Sequence, residues 1–334
     1  MKRALITGGA GFIGVHLARR LLADGWSVDI VDDFSRGVLD AELEALRTSP
    51  AVHFAQINVL DVDALRALSP NGERGYSVIF HLAAIIGVRN VLERPYAVLK
   101  DNVAMHANVI ELARAHQTLE RLVFASTSEV YAGTLQHFSL PVPTPESTPL
   151  AVTDVAHPRA TYMLSKIYGE SMCHHSGLPF TIIRPHNFYG PRMGLSHVVP
   201  ELLHRAYVAA DGDDLQFAST SHRRAFCFID DAIEIMVRAA TAKECARETL
   251  NVGNESAEVT IGSVAEVVLE VTGRRLKIAA GPETPGSPTR RCPDMRHAAK
   301  LTGYTATVDL REGIRRTFDW YRENVFTTGG LSAK

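Results

Sequence analysis

Residues 3–14 of the chain read Arg-Ala-Leu-Ile-Thr-Gly-Gly-Ala-Gly-Phe-Ile-Gly. The apolar run at the start of this segment is typical of a buried strand, and residues 15–22 carry leucines at helical spacing. A glycine-rich turn between a strand and a helix exposes backbone N–H groups at the positive end of the helix dipole. The segment therefore predicts a strand, a phosphate-binding turn and a helix, in that order.

A second apolar run, residues 27–31, ends in Asp32 and lies about 20 residues beyond the glycines. A carboxylate at this position can accept hydrogen bonds from both hydroxyls of an adenosine ribose, and it would repel a 2′-phosphate. We therefore predict NAD as cofactor. Arg36 is close enough in sequence to pair with such a phosphate, so NADP is the alternative. The predicted contacts in this unit are Gly8, Gly11, Phe12, Ile13, Gly14 and Asp32.

The glycines are spaced three apart, which resembles the extended short-chain dehydrogenase/reductases that modify nucleotide sugars. The resemblance covers residues 2–324. It implies an α/β fold with a Rossmann-like doubly wound parallel sheet and a smaller mixed α/β lobe for the substrate. It also implies a homodimer, in which helices near residues 97–116 and 160–175 pair across a two-fold axis. The many apolar residues of the first helix agree with this pairing.

Strand and helix patterns alternate along the first half of the chain, which predicts a parallel sheet with helices on both faces. Strand patterns fall at residues 4–6, 28–31, 52–55, 78–82, 122–125 and 180–184; helical patterns fall near 11–24, 61–69, 97–116 and 160–175. Further helices are predicted near 197–210, 231–242, 260–272 and 309–324. We predict an NAD-binding domain over residues 1–184, a mainly nucleotide-sugar-binding lobe over 185–326, and a flexible tail over 327–334. The proline-rich residues 138–149 predict an ordered loop, either over the active site or on the surface.

Composition excludes several classes of protein. The net charge of −2 provides no basic surface for nucleic acid, and no apolar run reaches membrane-spanning length. The four cysteines are scattered without paired spacing, so neither a disulfide framework nor a metal site is indicated. We expect a cytoplasmic protein without a signal peptide, metal, nucleic acid or membrane partner.

The catalytic pair predicted from the sequence is Tyr162 and Lys166, which lie four residues apart and hence on one face of a helix. A nearby ammonium and the nicotinamide charge lower the pKa of a phenol, so tyrosine can act as a base near neutral pH. Lys166 would also hold the nicotinamide ribose. The resemblance implies that Thr127, just after a predicted strand, hydrogen-bonds the 4-hydroxyl of the sugar. Ser126 is the alternative for this role.

The resemblance implies further contacts. Asn58 and Val59 match the position that meets adenine, although many relatives have Asp where this chain has Asn58. The strand end beside the cofactor is matched by Leu82, Ala83 and Ala84. Arginine is suited to bind phosphate oxygens bidentately, and ion pairs on the surface are the alternative for each arginine taken alone. The implied substrate contacts are Arg89, Ser126, Ser128, Asn187, Arg192, Val199, Arg224 and Arg291.

Enzymes of this kind first oxidise C4 of the sugar, and the ketone then permits 4-epimerisation, 4,6-dehydration or decarboxylation. Residues 127–129, Thr-Ser-Glu, resemble dehydratases and uronic-acid decarboxylases, in which Glu129 would assist proton movement near C5. Residues 87–89, Gly-Val-Arg, are closer to those of 4-epimerases, and residues 217–220 depart from the usual Tyr-Gly-x-Gly turn. We favour an NDP-sugar 4-epimerase acting on a UDP-hexose or UDP-hexuronate, followed by a UDP-glucuronate decarboxylase and then a 4,6-dehydratase.

Two other classes remain as alternatives. A non-catalytic NAD-sensing protein commonly lacks the tyrosine and lysine, and both are present here. A carbonyl reductase for small ketones does not need diphosphate-binding arginines, so the arginines count against it. The chain is therefore predicted to be an isomerase or lyase whose substrate is a nucleotide diphosphate sugar.

Overall fold

The computed structural model describes residues 2–68, 75–138, 141–152, 154–283 and 288–327. Its strands are β1 (Arg3–Thr7), β2 (Ser27–Asp32), β3 (Val52–Gln56), β4 (Val78–His81), β5 (Arg121–Ala125), β6 (Phe180–Pro185), β7 (Phe188–Tyr189), β8 (Asp214–Phe217), β9 (Arg223–Ala225), β10 (Cys227–Phe228), β11 (Glu248–Val252), β12 (Glu258–Thr260), β13 (Lys277–Ala280) and β14 (Arg290–Arg291). Its α-helices are α1 (Phe12–Ala23), α2 (Ala41–Arg47), α3 (Val62–Ala67), α4 (Val88–Glu93), α5 (Pro95–Arg114), α6 (Ala132–His137), α7 (Ala160–His175), α8 (Val198–Val208), α9 (Ile229–Thr241), α10 (Ile261–Thr272), α11 (Arg296–Thr302) and α12 (Leu310–Tyr321).

The large sheet has seven parallel strands in the order β11-β6-β5-β4-β1-β2-β3. Its strands are mostly apolar and buried because helices cover both faces. Leu17 of α1 and Ile233 of α9 belong to the hydrophobic core of one face, whereas Val109 of α5 and Cys173 of α7 belong to that of the other. This confirms the predicted Rossmann-like doubly wound sheet.

The strand order reverses at β1, which lies between β2 and β4. Ligands of open α/β sheets bind at such a reversal, outside the carboxyl ends of the strands, because the connecting loops separate there. The glycine-rich turn leaves β1 at this point. The predicted phosphate-binding turn therefore lies where the topology opens a crevice.

The six predicted strands of the first half are all present, but the sheet gains a seventh strand from the second half of the chain. β11 lies well beyond residue 184, where we placed the domain boundary, and pairs in parallel with β6. Its sequence, Glu-Thr-Leu-Asn-Val, lacks the apolar run that identified the other strands. The short helices α2, α4, α6 and α11 were also not predicted.

The second lobe is mixed α/β, as predicted. β9 pairs with β12 and β14, β8 pairs with β13, and β7 pairs with β10, alongside α8, α10 and α12. The predicted flexible tail lies, apart from Thr327, outside the described residues.

The described part of the proline-rich segment, residues 141–149, contains no helix or strand beyond one isolated bridge. Thr144 forms that bridge with Pro293, and its N–H donates to the carbonyl of Cys292 at 2.9 Å. The Glu146 carboxylate accepts the N–H of Asn251 in β11 at 2.8 Å. This loop therefore packs against β11 and holds the chain just after β14.

Over the described ranges, no helix is long and apolar enough to cross a membrane. Within the same ranges, no cluster of His, Cys, Asp and Glu side chains could hold a metal ion. All four cysteines are buried and unpaired.

A buried ion pair joins α7 to the large sheet. Arg184 of β6 donates from Nε and Nη2 to both carboxylate oxygens of Glu170 in α7, at 2.9 and 2.6 Å. Ser126, just after β5, donates to the same carboxylate at 2.5 Å, and the third Arg184 nitrogen, Nη1, donates to the Tyr131 hydroxyl at 2.7 Å. All four residues are buried. The network therefore fixes α7 relative to β5 and β6.

Because this pair is buried, Arg184→Leu leaves the Glu170 charge without its partner. We expect the free energy of unfolding, measured by urea denaturation, to fall by about 3–5 kcal/mol. The control is Arg311→Leu, which breaks an exposed pair with Glu270 and should cost less than about 1 kcal/mol. Equal losses in the two variants would contradict the assigned role of Glu170.

Candidate active site

The turn after β1 is shaped by two glycines. Gly8 has a φ of +73°, and a Cβ there would lie 2.8 Å from the backbone nitrogen of Ala83 at the end of β4. A Cβ on Gly14 would lie 2.5 Å from the Cα of Gly9. The first turn of α1 has no side-chain cap. Its N–H groups therefore remain available for an anion, which fits the pyrophosphate of NAD.

Asp32 lies at the end of β2, where the adenosine ribose is expected. Its buried carboxylate accepts the N–H of Ala10 at 3.0 Å and that of Phe34 at 2.8 Å. Burial raises the pKa of Asp32, and these hydrogen bonds oppose the shift. The carboxylate thus holds the glycine turn against the loop that follows β2.

The remaining residues predicted to contact the cofactor surround this crevice. Asn58 is exposed and donates to Asp33 at 3.0 Å, while Val59 beside it is buried. Leu82, Ala83 and Ala84 follow β4 and are half-buried. Arg36, the alternative partner for a 2′-phosphate, is close enough to Tyr162 for their charges to interact.

Helix α7 brings Tyr162 and Lys166 to the end of β5. The Lys166 ammonium donates to the carbonyl of Ala125 at 2.7 Å and lies 5.8 Å from the centre of the Tyr162 ring. Burial lowers the pKa of Lys166 to about 8. The lysine is therefore held between the strand that precedes Thr127 and the face of the catalytic phenol.

The side chain of Thr127 lies beside the Tyr162 hydroxyl, close enough for hydrogen bonding to lower the pKa of the phenol. Burial raises the pKa of Tyr162, the Glu129 charge raises it further, and the Thr127 hydrogen bond and Arg36 lower it. We expected Lys166 to lower this pKa, but its ammonium is directed to a backbone carbonyl. The structure therefore brings the predicted acid–base pair together in a form that favours a protonated phenol.

Glu129 joins this group through an ion pair. Arg291 of β14 donates to its carboxylate at 2.7 Å, and this guanidinium lowers the pKa of Glu129. Arg291 is buried, and among the described residues its Nε has no hydrogen-bond partner. Burial, and to a smaller extent the charge of Arg291, lowers the pKa of Arg224 to about 10. Arg291 therefore reaches the predicted catalytic residues from the second lobe, whereas the Arg224 guanidinium donates to the carbonyls of Arg223 and Pro288, each at 2.7 Å, and affects Glu129 through its charge.

A cavity of about 290 Å³ extends from Arg224 and Asn187 between α8 and the residues after β8. The Asn187 amide donates to the carbonyl of Ala225 at 3.1 Å. His222 lines this cavity, is 3% exposed, and has no hydrogen-bond partner for either ring nitrogen among the described residues. His222 was not among the residues predicted from the sequence, although it lies just after the unusual turn at residues 217–220.

A larger surface groove of about 550 Å³ lies elsewhere and includes His174, at the end of α7 opposite Tyr162. Several of its charged groups already have partners: His297 contacts Glu248 at 3.0 Å, and Arg296 contacts Asp294. The groove is lined by none of the predicted substrate contacts, whereas the smaller cavity is lined by Asn187 and Arg224, so the smaller cavity is the better candidate for the substrate.

Three predicted substrate contacts, Arg89, Ser126 and Val199, have side chains directed elsewhere. Arg89 lies on α4, and its long side chain extends into solvent, where it is 86% exposed. It pairs there with Glu93 at 3.0 Å. Ser126 is engaged by Glu170, as described above. Val199 is buried in the hydrophobic core, and its neighbour Val198 lines the cavity instead. Ser128 is buried beside Thr127.

Arg192 was predicted to contact the substrate, but its side chain is directed to the glycine turn. Its guanidinium is buried beneath the glycine turn, where it pairs with Asp40 at 2.6 Å and donates to backbone carbonyls, including that of Ala10 at 3.1 Å. With its donors directed to these oxygens, Arg192 does not face the cavity that contains Arg224 and Asn187. A resemblance in sequence could not reveal this direction.

Comparisons with known proteins agree with this geometry. The model of the NAD dependent epimerase/dehydratase family matches residues 4–253. UDP-N-acetyl-alpha-D-glucosaminuronate decarboxylase from Bacillus cytotoxicus is 31% identical, over 96% of this chain and 98% of that protein. UDP-glucuronate 4-epimerase from Thermodesulfobacterium geofontis is 28% identical, over 96% of each chain.

A solved structure has the same fold. UDP-glucuronic acid 4-epimerase from Bacillus cereus, in complex with UDP-glucuronic acid and NAD, is 25% identical and superposes with a TM-score of 0.80. The match covers 96% of this chain and 99% of that one. The glycine turn, Asp32 and the Tyr162–Lys166 pair provide the features that NAD requires. The chain is an NAD-dependent nucleotide-sugar-modifying enzyme and belongs to the NAD dependent epimerase/dehydratase family.

Proposed function

We propose that the enzyme decarboxylates a UDP-linked hexuronic acid after transient oxidation at C4 of the sugar. The observation that carries this proposal is the Glu129–Arg291 pair beside Tyr162 and Thr127. In having a glutamate at this position the chain resembles decarboxylases and dehydratases, whereas 4-epimerases usually have a small or neutral residue there. We therefore place decarboxylation ahead of 4-epimerisation, which the sequence alone favoured. The similarity to the decarboxylase from Bacillus cytotoxicus supports this order.

In the first step, Tyr162 takes the proton of the sugar 4-hydroxyl. NAD, when bound, accepts the C4 hydride and adds a positive charge beside the phenol. Thr127, whose side chain lies beside the Tyr162 hydroxyl, would orient the same sugar hydroxyl. Lys166 fixes the position of α7 against the end of β5 through the Ala125 carbonyl. These residues provide general-base catalysis at C4.

In the second step, the C5–carboxylate bond breaks. Its electron pair moves into the new C4 ketone, CO₂ leaves, and C5 then takes up a proton. Arg291 lowers the pKa of Glu129, so the glutamate is ionised. Its negative charge repels a neighbouring substrate carboxylate, and the repulsion ends when the carboxylate leaves as neutral CO₂. Arg291 and Arg224 attract the anionic groups of the substrate.

The second candidate is 4-epimerisation of a UDP-hexuronate or UDP-hexose. Residues 87–89 favour it, and two of the similar proteins are named as UDP-glucuronate 4-epimerases. This reaction removes nothing at C5 and does not need the Glu129 charge. A 4,6-dehydratase comes third, and a non-catalytic NAD-sensing protein would not need Thr127 beside Tyr162.

We further propose that the enzyme works as a homodimer formed through α5 and α7. These helices pack together in one chain and leave apolar side chains on their outer face, including the half-buried Ala104 and Ala107 and the 60% exposed Tyr168. Sedimentation equilibrium tests this assembly. The four unpaired cysteines support a reducing compartment such as the cytoplasm.

Product masses test the proposed reaction. Incubation with UDP-glucuronate and with UDP-N-acetylglucosaminuronate should give a product lighter by one CO₂ in at least one case. UDP-glucose, which has no carboxylate, serves as control and should be unchanged. A product of unchanged mass but new retention time would instead show an epimerase, and the loss of one water would show a dehydratase.

Tyr162→Phe keeps the ring and its packing but cannot accept the 4-hydroxyl proton. The turnover rate should fall about 100- to 10,000-fold, because that is what general-base catalysis contributes. NAD content and UDP binding should remain close to those of the wild type. The control is Tyr207→Phe, which removes a phenol hydroxyl from α8 in the second lobe and should retain full activity. A wild-type rate in Tyr162→Phe would eliminate the proposed mechanism.

Glu129→Gln distinguishes decarboxylation from epimerisation. In a decarboxylase, oxidation at C4 proceeds and the next step is impaired, so NADH absorbance and a 4-keto sugar should accumulate. The control is Glu111→Gln, which changes an exposed glutamate of α5. Near-normal turnover of Glu129→Gln without NADH accumulation would contradict decarboxylation and favour the epimerase.

A further inference from the structure

Arg192 connects the second lobe to both loops that border the dinucleotide site. Its Nη1 donates to the carbonyls of Ala10 and Gly11 in the glycine turn, at 3.1 and 3.3 Å. Its Nη2 donates to the carbonyl of Val38 at 2.8 Å, and its Nε pairs with Asp40 at 2.6 Å. The side chain is 3% exposed. One guanidinium thus binds four oxygen atoms from two separate loops.

These loops meet at Ala10. Its N–H donates to Asp32, and its carbonyl accepts from Arg192, so both sides of one residue are fixed. A Cβ on Gly37 would lie 2.8 Å from the Ala10 side chain, which shows how closely the loop after β2 approaches the turn. Release of a dinucleotide from between the pyrophosphate turn and Asp32 requires these contacts to loosen.

The backbone is strained at Arg192 itself. Arg192 has a φ of +72°, in the left-handed region that non-glycine residues rarely occupy. The adjacent Pro191 carbonyl contacts the His16 ring of α1 at 3.0 Å, so the same turn also touches the helix that follows the glycines. Strain of this kind persists where surrounding contacts impose it. The turn after β7 is therefore anchored to the cofactor half at two points.

We propose that Arg192 is a positioning residue that retains NAD, by holding the glycine turn and the loop after β2 closed around it. Retention matters for the chemistry because the hydride taken from C4 must be returned to the same sugar or its derivative, so a cofactor that stays bound needs no second substrate. Arg192 acts through the two loops and does not contact the sugar.

The test is the exchange of bound NAD in the full-length enzyme. Arg192→Lys keeps the charge but loses the planar fork that reaches four acceptors. Asp40→Asn weakens only the ion pair, because asparagine can still accept the Leu43 N–H that caps α2. We expect isotope-labelled NAD to replace bound NAD at least about tenfold faster in Arg192→Lys, with a smaller increase in Asp40→Asn.

The matched control is Arg238→Lys, which alters another arginine of the second lobe, paired with Glu234 at 2.5 Å and away from both loops. It should exchange NAD at the wild-type rate. Added NAD should restore the activity of Arg192→Lys without changing KM for the nucleotide sugar. Wild-type exchange in folded Arg192→Lys, or a raised KM that added NAD does not correct, would overturn the proposal in favour of a substrate contact. If Arg192→Lys does not fold, wild-type exchange in Asp40→Asn overturns it equally.

Discussion

The arrangement of the active site depends on one buried carboxylate, that of Glu170. A charge removed from water is tolerable only when it is paired and its oxygens are hydrogen-bonded. Arg184 and Ser126 meet this requirement from two neighbouring strands. Because Glu170 lies two turns beyond Tyr162 on α7, its anchoring fixes the position of the catalytic tyrosine. Thr127 follows Ser126 directly, so one network positions both Thr127 and Tyr162, the residues predicted to act on the sugar 4-hydroxyl.

The same network reaches the second half of the chain. Arg184 donates to the Tyr131 hydroxyl, which donates to Asn251 in β11. The Asn251 amide in turn donates to the carbonyls of Thr144 and Asp294, near Arg291. These bonds explain why β11, the edge strand next to β6, contains a fully buried asparagine. They also show how the proline-rich loop, with no regular structure, supports the segment that delivers an arginine to Glu129.

Charge is distributed unevenly across the site. Lys166, Arg224 and Arg291 lie on the side where anionic groups of a nucleotide sugar are expected, and burial lowers the pKa of Lys166 and Arg224. Glu129 is the negative group among them, and it raises the pKa of Tyr162. A negative charge close to the base hinders the first proton transfer, so its presence is easier to understand if a later step uses it. For this reason, and because a similar protein is a UDP-sugar decarboxylase, we prefer decarboxylation as the proposed reaction.

The sequence alone determined the sheet, the glycine turn, Asp32 and the Tyr162–Lys166 pair, because each depends on local spacing: a period of two or 3.6 residues, or a turn that only glycine fits. The tertiary structure decided what local spacing cannot express. β11 was missed because its residues pair with β6 through the fold and not through their own pattern. Arg192 and Arg291 are both arginines in plausible motifs, yet one is buried under the cofactor turn and the other reaches Glu129. The direction of a long side chain is set by the nearest uncompensated carbonyl or carboxylate, and only the folded chain brings those groups together.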